Sequence, residues 1–327
     1  MPQCLEVGKV VITGAIARPG IDLLAQVHDV DAWTSGRIPR DELLRRVAGA
    51  DGIVALLSEG IDEELLAAAG PQLRIVADVD VVVADGDVGA CAARNVVVTN
   101  TPGVLTEATA DLTMALLLMA TRRLSEGDRL IRSGEPWEFG MFLLLGSSLQ
   151  GRQLGIVGLG GIGSAVARRA RAFGMTIAYT NRRHVDATLA AQLDAIRMDL
   201  PTLLATSDVV SLHCPYSPTT HHLIGADQLA AMKSTAFLIN TSRGPVVDED
   251  ALVAALRDGQ IAGAGLDVYE HEPNVHPGLL EHPSVALAPH LGSATWETRT
   301  AMAELAAHNV LAVLRGDDPL TPVSPSP

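Results

Sequence analysis

Two doubly wound parallel α/β domains are predicted for this chain, on three observations. The first hundred residues alternate short β-branched runs with helical stretches, a second alternation of the same kind extends from Leu154 to Leu287, and 327 residues exceed what one hydrophobic core usually organises. Taken in order, Val10-Val11-Ile12, Ile53-Val54-Ala55-Leu56, Ile75-Val76-Ala77 and Val96-Val97-Val98 read as strands, with helical periodicity over residues 41–47 and 62–69. Residues 106–123 then form a single apolar helix, capped by Thr106 and closed by Arg122 and Arg123, that is expected to join the domains. The second set of strands covers residues 154–157, 176–179, 209–212, 236–239, 262–266 and 285–287, mostly separated by helices. Last comes a long amphipathic segment, residues 295–315, with Met302, Leu305, Val310, Leu311 and Val313 on its apolar side. It is expected to return to the first lobe ahead of a proline-rich tail.

Composition excludes several classes of function. A formal charge of -14 repels phosphate backbones and anionic membranes, so neither a nucleic acid nor a membrane is expected as partner. Cys4, Cys91 and Cys214 form neither an even disulfide framework nor a zinc-type spacing, which fits a reducing cytoplasm and no metal. Residues 1–14 lack a basic segment followed by a long apolar one, so no secretion signal is read. The longest apolar run, residues 112–120, falls well short of the roughly 20 residues that span a bilayer.

The strand Leu154-Gly155-Ile156-Val157 leads directly into Gly158-Leu159-Gly160-Gly161-Ile162-Gly163 and then a helical stretch, residues 164–173. In that context a G-x-G-x-x-G run binds a dinucleotide. The first glycine allows the tight turn, the second admits the pyrophosphate and the third lets helix and strand pack closely, with the phosphates at the helix N-terminus. A structural glycine turn is the bland alternative. After the next strand, where an NAD-binding fold usually carries an acid for the ribose hydroxyls, this chain has Asn181-Arg182-Arg183. An acid there would repel a 2′-phosphate and two guanidinium groups would bind it, so NADPH is expected ahead of NADH. Surface arginines that merely follow a strand are the alternative.

Three later segments put polar residues at the C-terminal ends of apolar strands, where open α/β sheets bind ligands. They are Asn240-Thr241-Ser242-Arg243-Gly244, Gly265-Leu266-Asp267-Val268-Tyr269-Glu270-His271-Glu272-Pro273 and Ala288-Pro289-His290-Leu291-Gly292-Ser293-Ala294-Thr295. With the glycine run and Thr99-Asn100-Thr101-Pro102-Gly103-Val104-Leu105-Thr106-Glu107-Ala108-Thr109-Ala110-Asp111, they closely resemble the D-isomer-specific 2-hydroxyacid dehydrogenases, especially the glyoxylate and hydroxypyruvate reductase branch, over nearly the whole chain.

That resemblance implies a flavodoxin-like substrate-binding domain, residues 1–104 with 292–327, and a Rossmann dinucleotide-binding domain, residues 105–291. It places the catalytic arginine at Arg243, the glutamate at Glu272 and the histidine at His290. The chemistry needs these types. Arg243 would hold the carboxylate of a 2-oxo acid and polarise its ketone, and His290, oriented and kept protonated by Glu272, would donate the proton as hydride arrives. Singly, each reads equally well as a structural ion pair, a loop acid or a turn histidine. The resemblance also implies that Asp267 bonds the nicotinamide amide beside Ser242, and that Thr109, Ile162, Cys214, Pro215, Thr219, Thr220, Thr241 and Gly292 line the cofactor site. Cys214 has no partner that suggests a nucleophile. His221-His222 shows no ligand pattern.

The substrate cradle departs from the family. Leu57, Val81 and Val82, with Arg243 and His290, fall at its substrate positions, but Val82 stands where relatives have a glycine that admits the carboxylate. Asp78, Asp80, Asp85 and Asp87 nearby are expected to face solvent. Gly161 replaces a basic or bulkier residue. Hydride transfer to a 2-oxo acid such as glyoxylate or hydroxypyruvate, giving the D-2-hydroxy acid, is the expected reaction. A dehydrogenase of another small anion, formate or phosphite, and a dinucleotide-sensing corepressor-like protein are the other readings. The family further implies a homodimer, for which the apolar residues 142–145 and 112–119 are candidates.

Overall fold

A computed structural model of the chain describes residues 7–56, 59–80 and 85–324, apart from the side chains of residues 85–87. It divides into two compact units, Met1–Leu105 with Ala294–Pro327, and Thr106–Ser293.

The first unit is built from β1 (Lys9–Ile12), α1 (Arg18–Ala25), β2 (Asp29–Ala32), α2 (Arg40–Val47), β3 (Gly52–Ala55), α3 (Glu63–Ala69), β4 (Ile75–Asp78), α4 (Asp85–Ala93) and β5 (Val97–Thr99), closed by the C-terminal helix Trp296–Arg315. Its sheet is parallel, in the order β2-β1-β3-β4-β5 of a flavodoxin-like fold. Successive side chains of a strand point to opposite faces, so each strand feeds two cores. Val11, Ile53, Val76 and Val98 pack on one face with Leu43, Leu65 and Leu66. Val10, Ile12, Val54, Ile75 and Ala77 pack on the other with Leu24, Ala306, Ala307 and Val310. The C-terminal helix thus closes the first unit. It lies so near α1 that a Cβ at Gly20 would stand 2.6 Å from the Ala303 carbonyl oxygen.

The second unit starts with α5 (Thr106–Thr121) and α6 (Leu124–Ser133). It continues through β6 (Gln153–Val157), α7 (Gly161–Ala172), β7 (Thr176–Thr180), α8 (Ala187–Gln192), β8 (Ala195–Arg197), α9 (Leu200–Thr206), β9 (Val209–Leu212), α10 (Ala226–Ala231), β10 (Phe237–Asn240), α11 (Glu249–Arg257), β11 (Gly263–Leu266), α12 (Pro277–Glu281) and β12 (Val285–Leu287). The strands are parallel, in the order β12-β11-β10-β9-β6-β7-β8, which is the dinucleotide-binding order 3-2-1-4-5-6 with one more strand at the far edge. The order reverses between β6 and β9, where Val157 lies opposite Leu212. A crevice therefore opens beyond their C-terminal ends. The closing helix of the first unit is α13.

Several elements differ from expectation. The edge strands β2 and β8 carry too little apolar alternation to be read from sequence. Residues 106–123 are not one helix. α5 starts on Thr106 itself and ends at Thr121, Arg123 turns left-handed (φ 53°), and α6 follows. α5 packs on β10, β11, β12 and α7 within the second unit. α7 begins at Gly161, three residues ahead of the expected helix. Asp78 is 8% exposed, which corrects the solvent-facing expectation: β4 lies inside the sheet and is buried along its length. Leu57, Val81, Val82 and Cys4, and the side chains of Asp85 and Asp87, lie outside the described residues. Among those described, no helix is long and apolar enough to cross a membrane.

Candidate active site

The glycine run occupies the crest of β6. Gly158 has φ 101° and its Cβ would stand 2.8 Å from the Cys214 backbone nitrogen, while a Cβ on Gly163 would stand 2.2 Å from the Gly158 carbonyl oxygen. Both must be glycine. A Cβ on Gly160 would meet nothing within 4 Å, and on Gly161 only Thr106, at 3.5 Å. The second glycine of the motif is therefore needed by no protein neighbour, as expected if its bare backbone faces a ligand. At the Gly158 end of the run lies a cavity of about 610 Å³ whose lining includes Asn181, Arg182, Arg183, Cys214 and Thr220, with Pro215, Thr219, Leu200 and Leu223 among its other walls. Gly160 and α7, an apolar wall and a basic rim fit a dinucleotide. Ile162 is half-buried in the first turn of α7 and packs on the core below.

At the rim, Asn181 Oδ1 accepts from the Leu159 backbone N–H at 2.5 Å, so this side chain shapes the glycine turn. Arg182 and Arg183 are exposed and neither has a carboxylate partner among the described residues. Arg197, at the end of β8, is a third cation at this turn. It donates to the Asn181 carbonyl at 3.4 Å. Sequence reasoning missed it because β8 was missed. Cys214 is no nucleophile: burial pushes its thiol up to about 11.

The chemical centre lies on the β10, β11 and β12 ends. His290 Nδ1 faces Glu272 Oε2 at 2.8 Å, and Glu272 Oε1 accepts from the Tyr269 backbone N–H at 2.9 Å. The hydrogen bond to Glu272 raises the His290 pKa above its ordinary value, outweighing burial and the Arg243 charge. Burial works to raise the Glu272 carboxyl, but His290, the Tyr269 amide and the Arg243 charge hold it below the ordinary value. With Nδ1 engaged, Nε2 is the atom His290 can present to a reactant. His290 sits in the left-handed region (φ 55°), held there by its N–H to the Asp267 carbonyl at 2.9 Å.

Each neighbouring turn has its own clamp. Asp267, 1% exposed, accepts from Leu291 N–H at 2.6 Å and Gly292 N–H at 2.8 Å, so it fixes the histidine turn. Burial raises its pKa against those amides. Thr109 Oγ1 donates to the Gly292 carbonyl at 3.1 Å, and Thr241 Oγ1 lies 2.8 Å from Thr113 Oγ1. Asn240 clamps the arginine turn: its Oδ1 accepts from Ser242 N–H (3.0 Å) and Ser242 Oγ (2.8 Å), and its Nδ2 donates to the Arg243 carbonyl (3.0 Å). Gly244 is required there, since its Cβ would fall 1.8 Å from the Tyr269 carbonyl oxygen. Asn240, Thr113 and Tyr269, whose hydroxyl donates to the Ala288 carbonyl at 2.9 Å, were not singled out from sequence. Only an amide at a strand end hinted at the first.

Comparison with known proteins gives a consistent picture. Residues 114–292 match the family model for the NAD binding domain of D-isomer specific 2-hydroxyacid dehydrogenases. A glyoxylate reductase of Thermococcus litoralis is 46% identical over 319 residues, covering 95% of this chain and 95% of the relative. The crystal structure of a protein from Thermus thermophilus superposes with a TM-score of 0.91 at 44% identity, covering 96% of this chain and 99% of that one. An NADPH-dependent glyoxylate/hydroxypyruvate reductase of Sinorhizobium meliloti, solved with NADP and malonate, gives a TM-score of 0.83 at 36% identity, with 98% of each chain covered.

Proposed function

The chain belongs to the D-isomer-specific 2-hydroxyacid dehydrogenases, and from that premise we propose that it reduces glyoxylate or hydroxypyruvate to the D-2-hydroxy acid with NADPH. Reduction of a 2-oxo acid by a nicotinamide dinucleotide is the activity; the particular acid and the 2′-phosphate preference are the finer reading. The observation that carries it is the His290–Glu272 hydrogen bond at 2.8 Å under the Arg243 charge, a proton donor and a cation of the kind a ketone next to a carboxylate requires.

The dinucleotide supplies the hydride. Gly160 and the N-terminus of α7 would hold its pyrophosphate, and Thr109, Cys214, Pro215, Thr220, Thr241, Ser242, Asp267 and Gly292 would surround the remainder, in the unit Thr106–Ser293. Arg243 would bind the substrate carboxylate and draw charge onto the ketone oxygen. His290 Nε2 would deliver the proton there, and Glu272 would hold the imidazolium in place. Leu57, Val81 and Val82, outside the described residues, are proposed as further substrate contacts. NADPH is favoured by the pair Arg182 and Arg183, by Arg197 beside them and by Asn181 in place of an acid.

A homodimer is supported by Trp137, Phe139, Met141, Phe142 and Leu145, an exposed apolar group on one short segment. A reducing cytoplasm rests on the cysteine spacing of the sequence, which offers no even disulfide framework. The test is direct: purified protein, NADPH or NADH and a panel of 2-oxo acids, with loss of reduced-nicotinamide absorbance followed. Glyoxylate or hydroxypyruvate is expected to turn over fastest, with NADPH. Tight NADPH binding without turnover of either would refute the substrate reading.

A further inference from the structure

Two residues before Glu272 lies a second carboxylate that has no place in the proton relay. Glu270 Oε1 accepts from His222 Nε2 at 2.6 Å, and its Oε2 accepts from the Glu249 backbone N–H at 3.3 Å. Glu249, 7% exposed, returns the bond: its Oε1 accepts from the Glu270 backbone N–H at 2.7 Å. Asp248 Oδ2 lies 3.9 Å from His222 Nδ1, and the His271 charge also acts on Glu270. Two carboxylates, Glu270 and Asp248, thus face one imidazole, and a third, Glu249, holds the Glu270 backbone.

The location of these groups explains their use. His222 belongs to the loop whose Thr219, Thr220 and Leu223 line the dinucleotide groove, and its ring stacks on His221 at 3.9 Å between centroids. Its backbone N–H donates to the Pro245 carbonyl and that of Ile224 to Val246, which fastens the loop to the segment that follows Arg243. The turn after β11 has less support of its own. Residues 271–274 are exposed, with one backbone hydrogen bond from Asn274 to His271. Glu270 gives this turn a second anchor, beside the bond that Glu272 Oε1 accepts from the Tyr269 N–H at 2.9 Å.

We propose that Glu270 and His222 are a positioning pair that ties the Glu272 turn to the groove wall and to the arginine segment, so that Glu272 meets His290 in one orientation. The inference rests on the reading of Glu272 and His290 as the proton relay. Neither residue of the pair touches substrate; both act through Glu272.

The test compares E270Q, H222Q and the double variant with wild type, reading kcat and KM for NADPH and the pH profile of kcat for glyoxylate reduction. In each variant kcat is expected to fall on the order of ten-fold, a misplacement effect. The decline of rate with rising pH should begin at lower pH, because a displaced Glu272 no longer holds the His290 proton. The double variant should be no worse than E270Q alone, as for residues acting through one contact. Wild-type kcat and pH profile in both single variants, with only a lower melting temperature, would overturn the proposal, and an effect in E270Q alone would overturn the part of His222. If E270Q does not fold, H222Q, altered at a half-exposed position, decides by the same profile. H290N in the same assay separates the two readings. Full turnover in H290N would sink the relay itself, whereas an inactive H290N beside wild-type E270Q and H222Q would leave the relay and remove only the positioning pair.

Discussion

The environment of His290 suits it to the proposed role of proton donor. Glu272 lifts its pKa and Arg243 opposes that, so the proton is both available and transferable. Replacing His290 by Asn should cut turnover by roughly 10²- to 10⁴-fold, the usual share of a general acid, with little change in dinucleotide affinity. Steady-state kinetics beside a fluorescence titration of NADPH would check both. Replacing Glu272 by Gln removes the largest contribution to the raised His290 pKa. With His290 as the proposed acid, the rate should then begin to fall at lower pH than in wild type, and an unmoved profile would remove Glu272 from the relay.

At the scale of the element, the turn from β6 into α7 separates glycines needed by the fold from one free for a ligand. Gly163→Ala pushes a methyl group into the Gly158 carbonyl at 2.2 Å and should destabilise by about 1–3 kcal/mol, as overpacking does. Gly160→Ala meets no protein atom, so the melting temperature should hold while dinucleotide binding weakens. Equal melting losses in both variants would show that Gly160 too is only structural. The rim at the β7 end makes a second prediction: removing the charges of Arg182 and Arg183 together should raise the Kd for NADPH far more than that for NADH. Equal effects would refute the 2′-phosphate site. Arg197→Ala should act in the same sense more weakly, since that side chain already leans on the Asn181 carbonyl.

For the whole molecule, the exposed apolar segment is the feature a lone chain leaves unexplained. Phe139 and Phe142 are 87% and 85% exposed in a protein whose formal charge of -14 otherwise keeps copies apart. Changing both to Asp should convert a dimer to a monomer by light scattering, while each α/β unit keeps its own core and helical signal. A wild-type protein that is monomeric at micromolar concentration would end that assignment. The chain leaves the first unit at Leu105 and comes back at Ala294, so α13 makes one core depend on both ends of the sequence.

The β-branched runs, the parallel α/β class, the glycine motif after β6 and the residue types of the candidate chemical centre were all legible in the sequence. Each is set by local stereochemistry or by a motif whose spacing the backbone imposes. The edge strands β2 and β8 were not, because Asp29–Ala32 and Ala195–Arg197 take their state from a neighbour and not from their own pattern. The burial of Asp78 escaped for a related reason: the faces that cover β4 come from helices far away in the chain. Sequence alone determined which groups could carry out the chemistry. Only the tertiary structure decided what holds them, the Asp267 clamp on Leu291 and Gly292, the Asn240 clamp on the arginine turn and the Glu270–His222 bond, because a hydrogen bond depends on distance in space and most of these partners meet only once the strands have been laid side by side.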